Sequence, residues 1–136
     1  MSSFTPFIAA LHVFLGGGAG AVLRWLLGRS MTNWLGAPMV TAFPFATLAA
    51  NAIGSLAMGF LAGWLARGGS GDSEQLRLLL GVGLLGGFTT FSAFSLEMVL
   101  LIERGQFALA GLYAILSFAL GISALLFGLT VMRSFA

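Results

Sequence analysis

GGFTTFSAF, Gly86 to Phe94, interrupts one of the most apolar segments of the chain. Gly86, Gly87, Thr89 and Thr90 all lower helix propensity, in a segment otherwise filled with leucine. Lipid offers a backbone no hydrogen bonds, so non-helical structure at membrane depth survives only if it is buried in protein or lines a cavity. A break between Gly86 and Phe91 frees carbonyls at one half-helix end, suited to a cation, and amides at the other, suited to an anion. Phe91 and Phe94 admit two readings. They pack or face lipid, or their rings, which carry a positive edge, line an anion path. This reading implies an all-α integral membrane protein of four transmembrane helices, the third broken near its middle.

Composition supports the membrane setting. The 136 residues are 59% hydrophobic and 7% charged, with a mean hydropathy of +1.04. Soluble domains carry about 25% charged residues, and a small soluble domain cannot hide so much apolar surface. The absence of cysteine excludes disulfides and thiol chemistry. The sequence pI near 10.6 reflects few acids and no lysine. Six scattered arginines form no basic stripe, so no nucleic-acid partner is expected. The first apolar run is followed by Arg24 and Trp25 rather than a small-residue cleavage site, and no removable signal peptide is expected.

A spanning helix needs about 20 mostly apolar residues. Four segments qualify, at about 7–27, 43–66, 76–102 and 107–131, and they form a single membrane domain over 1–136. Arg24, Trp25 and Arg29 close the first as an interfacial cluster, followed by a loop with Asn33, Gly36 and Pro38. The tract GGSGDSEQ, Gly68 to Gln75, is the plainest loop. Four spans put Arg67, Arg77 and Arg133 on one side and Arg24, Arg29 and Arg104 on the other. Arginine excess normally marks the cytoplasmic side. An even tally leaves orientation undetermined and points to dual topology, with copies inserted both ways up as an antiparallel homodimer. Small residues recur at helix-pairing spacing in Gly16/Gly20, Ser55/Gly59/Gly63, Gly83/Gly87 and Ser117/Gly121. Spacing alone does not say which of these contacts cross a subunit boundary.

Ionisable residues within spans are functional candidates, and this chain has few. His12 reads as an interfacial or helix-bonded imidazole. Arg24 either snorkels to headgroups or sits in an aqueous mouth that attracts anions. Glu97 pairs with a nearby donor or lies beside a water-filled cavity. Neutral polar groups are more organised. Thr47, Asn51 and Ser55 share one face of the second span. Asn51 either makes an interhelical hydrogen bond or serves a pathway. Tyr113, Ser117 and Gly121 repeat the pattern in the fourth span, and Ser92 and Ser95 interleave with Phe91 and Phe94. Hydroxyl and amide donors with few carboxylates suit a dehydrating anion better than a cation.

Three motifs together resemble the Fluc (CrcB) family of fluoride channels: GGGAGAVLRW from Gly16, ANAIG around Asn51, and GGFTTFSAFSLE from Gly86. The resemblance covers all four spans. It implies a passive fluoride-selective channel that exports fluoride across the inner (plasma) membrane, built as an antiparallel dual-topology homodimer with two pores. It implies that Phe91, Phe94, Asn51, Ser95, Ser92, Thr47, Tyr113 and Ser117 line the fluoride pore and that Arg24 lies in the vestibule. It also implies a structural Na+ on the dimer axis, held by backbone carbonyls of Gly86 and Thr89. Two departures stand out. Ala93 replaces a threonine found in many relatives, and Gly121 replaces a serine found in some.

The leading alternative is a small dual-topology proton-coupled multidrug transporter. That chemistry wants a membrane carboxylate early in the chain, and the first span has none. A membrane enzyme would need a metal cluster or a nucleophile–base pair, which the spans lack. A scaffold subunit would not need a broken helix.

Overall fold

The computed structural model describes residues 5–68 and 73–135. These residues form helices α1 (Pro6–Leu35), α2 (Ala37–Ala42), α3 (Phe45–Arg67) and α4 (Ser73–Leu76). A π-helix (Arg77–Leu85) follows, then α5 (Gly86–Phe88), α6 (Ser92–Glu103) and α7 (Phe107–Ser134). Four helical segments are long and apolar enough to cross a membrane: Pro6–Leu35, Phe45–Arg67, Ser73–Glu103 and Phe107–Ser134. The third is interrupted at Thr89, where φ −83° and ψ 159° are extended.

The helices run past the apolar segments that announce them. At 1.5 Å per residue α1 is about 45 Å long, against a hydrocarbon core of about 30 Å. Asn33 is therefore helical rather than in a loop, and Pro38 sits in the first turn of α2, where its missing N–H is harmless. The turn itself is Gly36, at φ 87°, whose N–H closes α1 on the Thr32 carbonyl at 2.9 Å. The expected loop over Gly68–Gln75 is shorter than its polarity suggests, because Ser73–Leu76 is already helical. Glu74 at this helix start pairs bidentately with Arg77 (2.7 and 3.0 Å). Residues 69–72 lie outside the described set.

Two seams hold the bundle, α1 against the π-helix and α3 against α7. Both are backbone-close. A methyl group added at Gly83 would meet Gly16 Cα at 2.9 Å and Val13 O at 3.0 Å, and one at Gly128 would meet Leu56 O at 2.6 Å. The stripes Gly16/Gly20, Gly83/Gly87 and Ser55/Gly59/Gly63 are thus occupied by packing within one chain. The π-helix fits the first seam: the Gly86 N–H reaches Gly81 O, five residues back, as well as Gly83 O. A small buried cluster of Phe43, Leu101, Ala110 and Tyr113 joins the end of α2 to α6 and α7. Elsewhere the spans stay open. Between 6% and 22% of each apolar segment is buried, so most of the apolar surface needs lipid or another protein surface to cover it.

Candidate functional site

The break in the third span is made by its threonines, not its glycines. Gly86 and Gly87 remain helical, and Gly87 is small because the Gly17 backbone of α1 lies against it. At Thr90 the backbone leaves the helix for Asn51. The Thr90 N–H donates to Asn51 Oδ1 at 2.8 Å, and Asn51 Nδ2 donates to the Thr90 carbonyl at 3.0 Å. A primary amide can do both at once, standing in for a peptide group. One turn on, the Ala93 N–H donates to Thr90 Oγ1 at 3.2 Å, which caps the start of α6. In an uninterrupted helix the Thr90 and Ala93 N–H groups would go to the carbonyls of Gly86 and Thr89. Both carbonyls lose those donors.

Next to the break is a cavity of about 340 Å³ lined by Asn51, Ser55, Thr90, Phe91, Phe94 and Ser117, with Gly86, Thr89 and Gly121 on its wall. Ser117 Oγ is buried there without a hydrogen-bond partner. A buried hydroxyl lacking a partner costs about 1–3 kcal/mol, so this one marks a place for a guest acceptor. Phe91 is 75% exposed and Phe94 half-buried. Their ring centroids lie 5.7 Å apart, and Phe94 continues to Tyr113 at 5.0 Å and Phe118 at 6.3 Å.

Beyond Phe94 the site changes character. Thr47 Oγ1 donates to Glu97 Oε1 at 2.7 Å, and Tyr113 OH donates to Glu97 Oε2 at 2.6 Å. Tyr113 is fully buried and Thr47 nearly so. Glu97 and Thr47 also line a second, larger cavity of about 630 Å³ that opens at the α1–α2 corner between Trp25, Arg29, Asn33, Thr41 and Arg104. Both readings of Glu97 therefore hold: it is paired, and it faces a cavity. The series Phe91, Phe94, Tyr113, Glu97, Thr47 links the two cavities by ring contacts and hydrogen bonds.

Of the candidate residues, Phe91, Phe94, Asn51 and Ser117 meet at the smaller cavity, Thr47 at the larger, and Tyr113 between them. Ser92 Oγ lies 3.3 Å from Thr90 Oγ1, and Ser95 Oγ donates to the Phe91 carbonyl of its own helix at 2.9 Å. Neither serine lines either cavity, and neither does Arg24, which is half-buried on α1. His12 Nδ1 lies 2.8 Å from the Ile8 carbonyl, a helix-bonded position. Arg29, Asn33 and Arg104 are site residues that the motifs did not single out.

The family model described as CrcB-like protein, camphor resistance (CrcB), matches residues 11–129. A protein of Erythrobacter litoralis (strain HTCC2594) named "Fluoride-specific ion channel FluC" is 60% identical over 136 residues, covering 100% of both chains. A protein of the same name from Novosphingobium aromaticivorans is 56% identical over 128 residues, 94% of this chain and 98% of its own. One from Phenylobacterium zucineum, also so named, is 51% identical over 125 residues, 92% and 95% of the two chains. With the broken third span, the asparagine that clamps it and the phenylalanine pair in place, the chain belongs to the CrcB family.

Proposed function

We propose that this protein is a passive fluoride-selective channel of the inner membrane, working as an antiparallel dual-topology homodimer with two pores. The observation that carries the reading is the smaller cavity. It combines a buried unpartnered Ser117 hydroxyl, the Asn51 amide and the rings of Phe91 and Phe94, with no charged side chain on its wall. Neutral donors and ring edges suit a small dehydrated anion. The full-length relatives' shared name supplies the ion. Hydrogen fluoride crosses membranes as a neutral acid and dissociates in a more alkaline cytoplasm. The membrane potential then drives the anion outward by about 2.3 kcal/mol per 100 mV, so export needs no coupling to protons or nucleotide.

The homodimer reading draws support from the open apolar faces of the single chain, among them Ile115, Phe118, Ile122 and Phe127 along α7. The three-to-three arginine distribution favours opposed orientations. A structural Na+ fits the donor set, since the released carbonyls of Gly86 and Thr89 are hard oxygen ligands. Each chain offers two, and a second copy would complete the shell. A cation held there would supply a counter-charge for the freed backbone dipoles. Proton-coupled drug exchange fits less well: Glu97, the carboxylate away from the ends of the third span, already accepts two hydroxyl hydrogen bonds.

Fluoride efflux from liposomes under a potassium diffusion potential tests the reading. The expected result is potential-driven fluoride flux with little chloride flux, slowed at least ~100-fold in Phe94→Ala, a loss of about 3 kcal/mol in barrier terms. Proton-coupled cation movement without fluoride flux would overturn it.

A further inference from the structure

We propose that Arg29 and Arg104 form a cationic mouth that loads the larger cavity with anions, so that this chain supplies the pathway with ion as well as selecting it. The inference rests on the anion-channel reading above. The charged residues lining the larger cavity are Arg29, Arg104 and Glu97, two positive charges against one negative. They are segregated. Arg29 stands near the end of α1, and Arg104 on the turn that follows α6. Glu97 lies seven residues before Arg104 (104 − 97) on α6, about 10 Å along the helix axis, and it carries two hydroxyl donors on its carboxylate. An anion entering from the rim meets the arginines first and a partly compensated carboxylate last.

Both guanidinium groups are held in place. Arg29 lies over the Trp25 ring, 5.1 Å from its centroid, and Arg104 Nη1 donates to the Thr41 carbonyl at 2.9 Å. Neither contact neutralises the charge, and each leaves further N–H donors on a planar, weakly hydrated group. Val40, Phe45, Leu100 and Leu101 contribute apolar wall between rim and floor. Low-dielectric walls focus the field of fixed charges and raise the local concentration of the opposite ion.

A structural role for either arginine, as an interfacial anchor or as a cap on α2, makes a different prediction. Such a loss would be insensitive to salt, whereas a field is screened over about 10 Å at 0.1 M and about 3 Å at 1 M. The experiment compares wild type, Arg29→Gln, Arg104→Gln, the double glutamine variant and the double lysine variant. Fluoride efflux from liposomes is followed at about 0.01 M ionic strength and again at about 1 M, raised with an impermeant organic potassium salt. The double glutamine variant is expected to lose about tenfold in initial flux at low ionic strength and less than about twofold at high. Each single glutamine variant is expected to lose about threefold at low ionic strength, and the double lysine variant to stay within about twofold of wild type. Equal flux in the double glutamine variant and wild type, or a loss of the same size at both salt concentrations, would overturn the inference. Should Arg104→Gln disturb α2, Arg29→Gln leaves the Thr41 bond intact and decides alone by the same salt criterion. Absence of fluoride flux in wild type would overturn the channel reading and this inference together. Fluoride flux without salt-dependent loss would overturn this inference only.

Discussion

The two cavities differ in kind as well as size. The larger, about 630 Å³, carries three charged side chains and opens at the end of the bundle. The smaller, about 340 Å³, carries none and sits against the break in the third span. Full charges attract ions of one sign but bind them to one spot and discriminate poorly by size. Neutral donors and ring edges attract weakly but can be placed to fit one ion. On the proposed channel reading, separating the two would let an ion be gathered by field and chosen by contact; Phe94, Tyr113 and Glu97 stand between them.

Three substitutions probe this division, the largest effect first. Asn51→Ala strips the partners from both the N–H and the carbonyl of Thr90. Each buried backbone group left unpaired costs about 1–3 kcal/mol, so a combined loss of about 2–6 kcal/mol is expected. Thermal unfolding in detergent should show it, together with loss of fluoride flux. A stable, conducting Asn51→Ala protein would mean that the break holds itself open. Ser117→Ala is gentler, since the hydroxyl has no bond to lose. Its flux is expected to fall about tenfold, or 1.4 kcal/mol of barrier, while stability holds or rises slightly. A parallel fall in stability would assign Ser117 to packing. Arg67→Gln lies outside both cavities. Arg67 caps α7 by donating to the carbonyls of Phe135 (2.6 Å) and Met132 (3.3 Å). Its loss should lower stability by about 0.5–1.5 kcal/mol and leave flux and its salt dependence unchanged.

Much of this was readable from residue order. Apolar runs locate four spans because lipid enforces a length, but they misplace helix ends, since a helix needs no lipid to continue into water. Hence α1 persists to Leu35. The interruption between Gly86 and Phe91 is visible in composition, but propensity points to the glycines and the threonines alike, and the structure leaves Gly86 and Gly87 helical. Glycine loosens a helix less when a neighbour packs on it, and at Gly87 the Gly17 backbone of α1 does. Small-residue stripes were visible without their partners. Glu97 shares a helix face with Phe94, three residues before it, which marks it as a neighbour of the phenylalanines. What no local pattern reveals is that Thr47 and Tyr113, on two other helices, bring their hydroxyls to it. Arg29 and Arg104 are likewise joined only by the fold, 75 residues apart (104 − 29). The pore roles came from family resemblance. Spacing alone left Phe91 and Phe94 as readily packing residues.

The exchange between Asn51 and Thr90 also bears on how the molecule is made. A third span lying alone in lipid, with Thr90 turned out of its helix, would leave an N–H and a carbonyl unsatisfied at several kcal/mol each. Its lowest state before docking is therefore a continuous helix, with the Thr90 N–H on Gly86. Only when α3 presents the Asn51 amide do the Thr90 N–H and carbonyl find partners outside the helix. The break is then a product of assembly, acquired as the third span settles against the second, and biogenesis can proceed through ordinary unbroken helices.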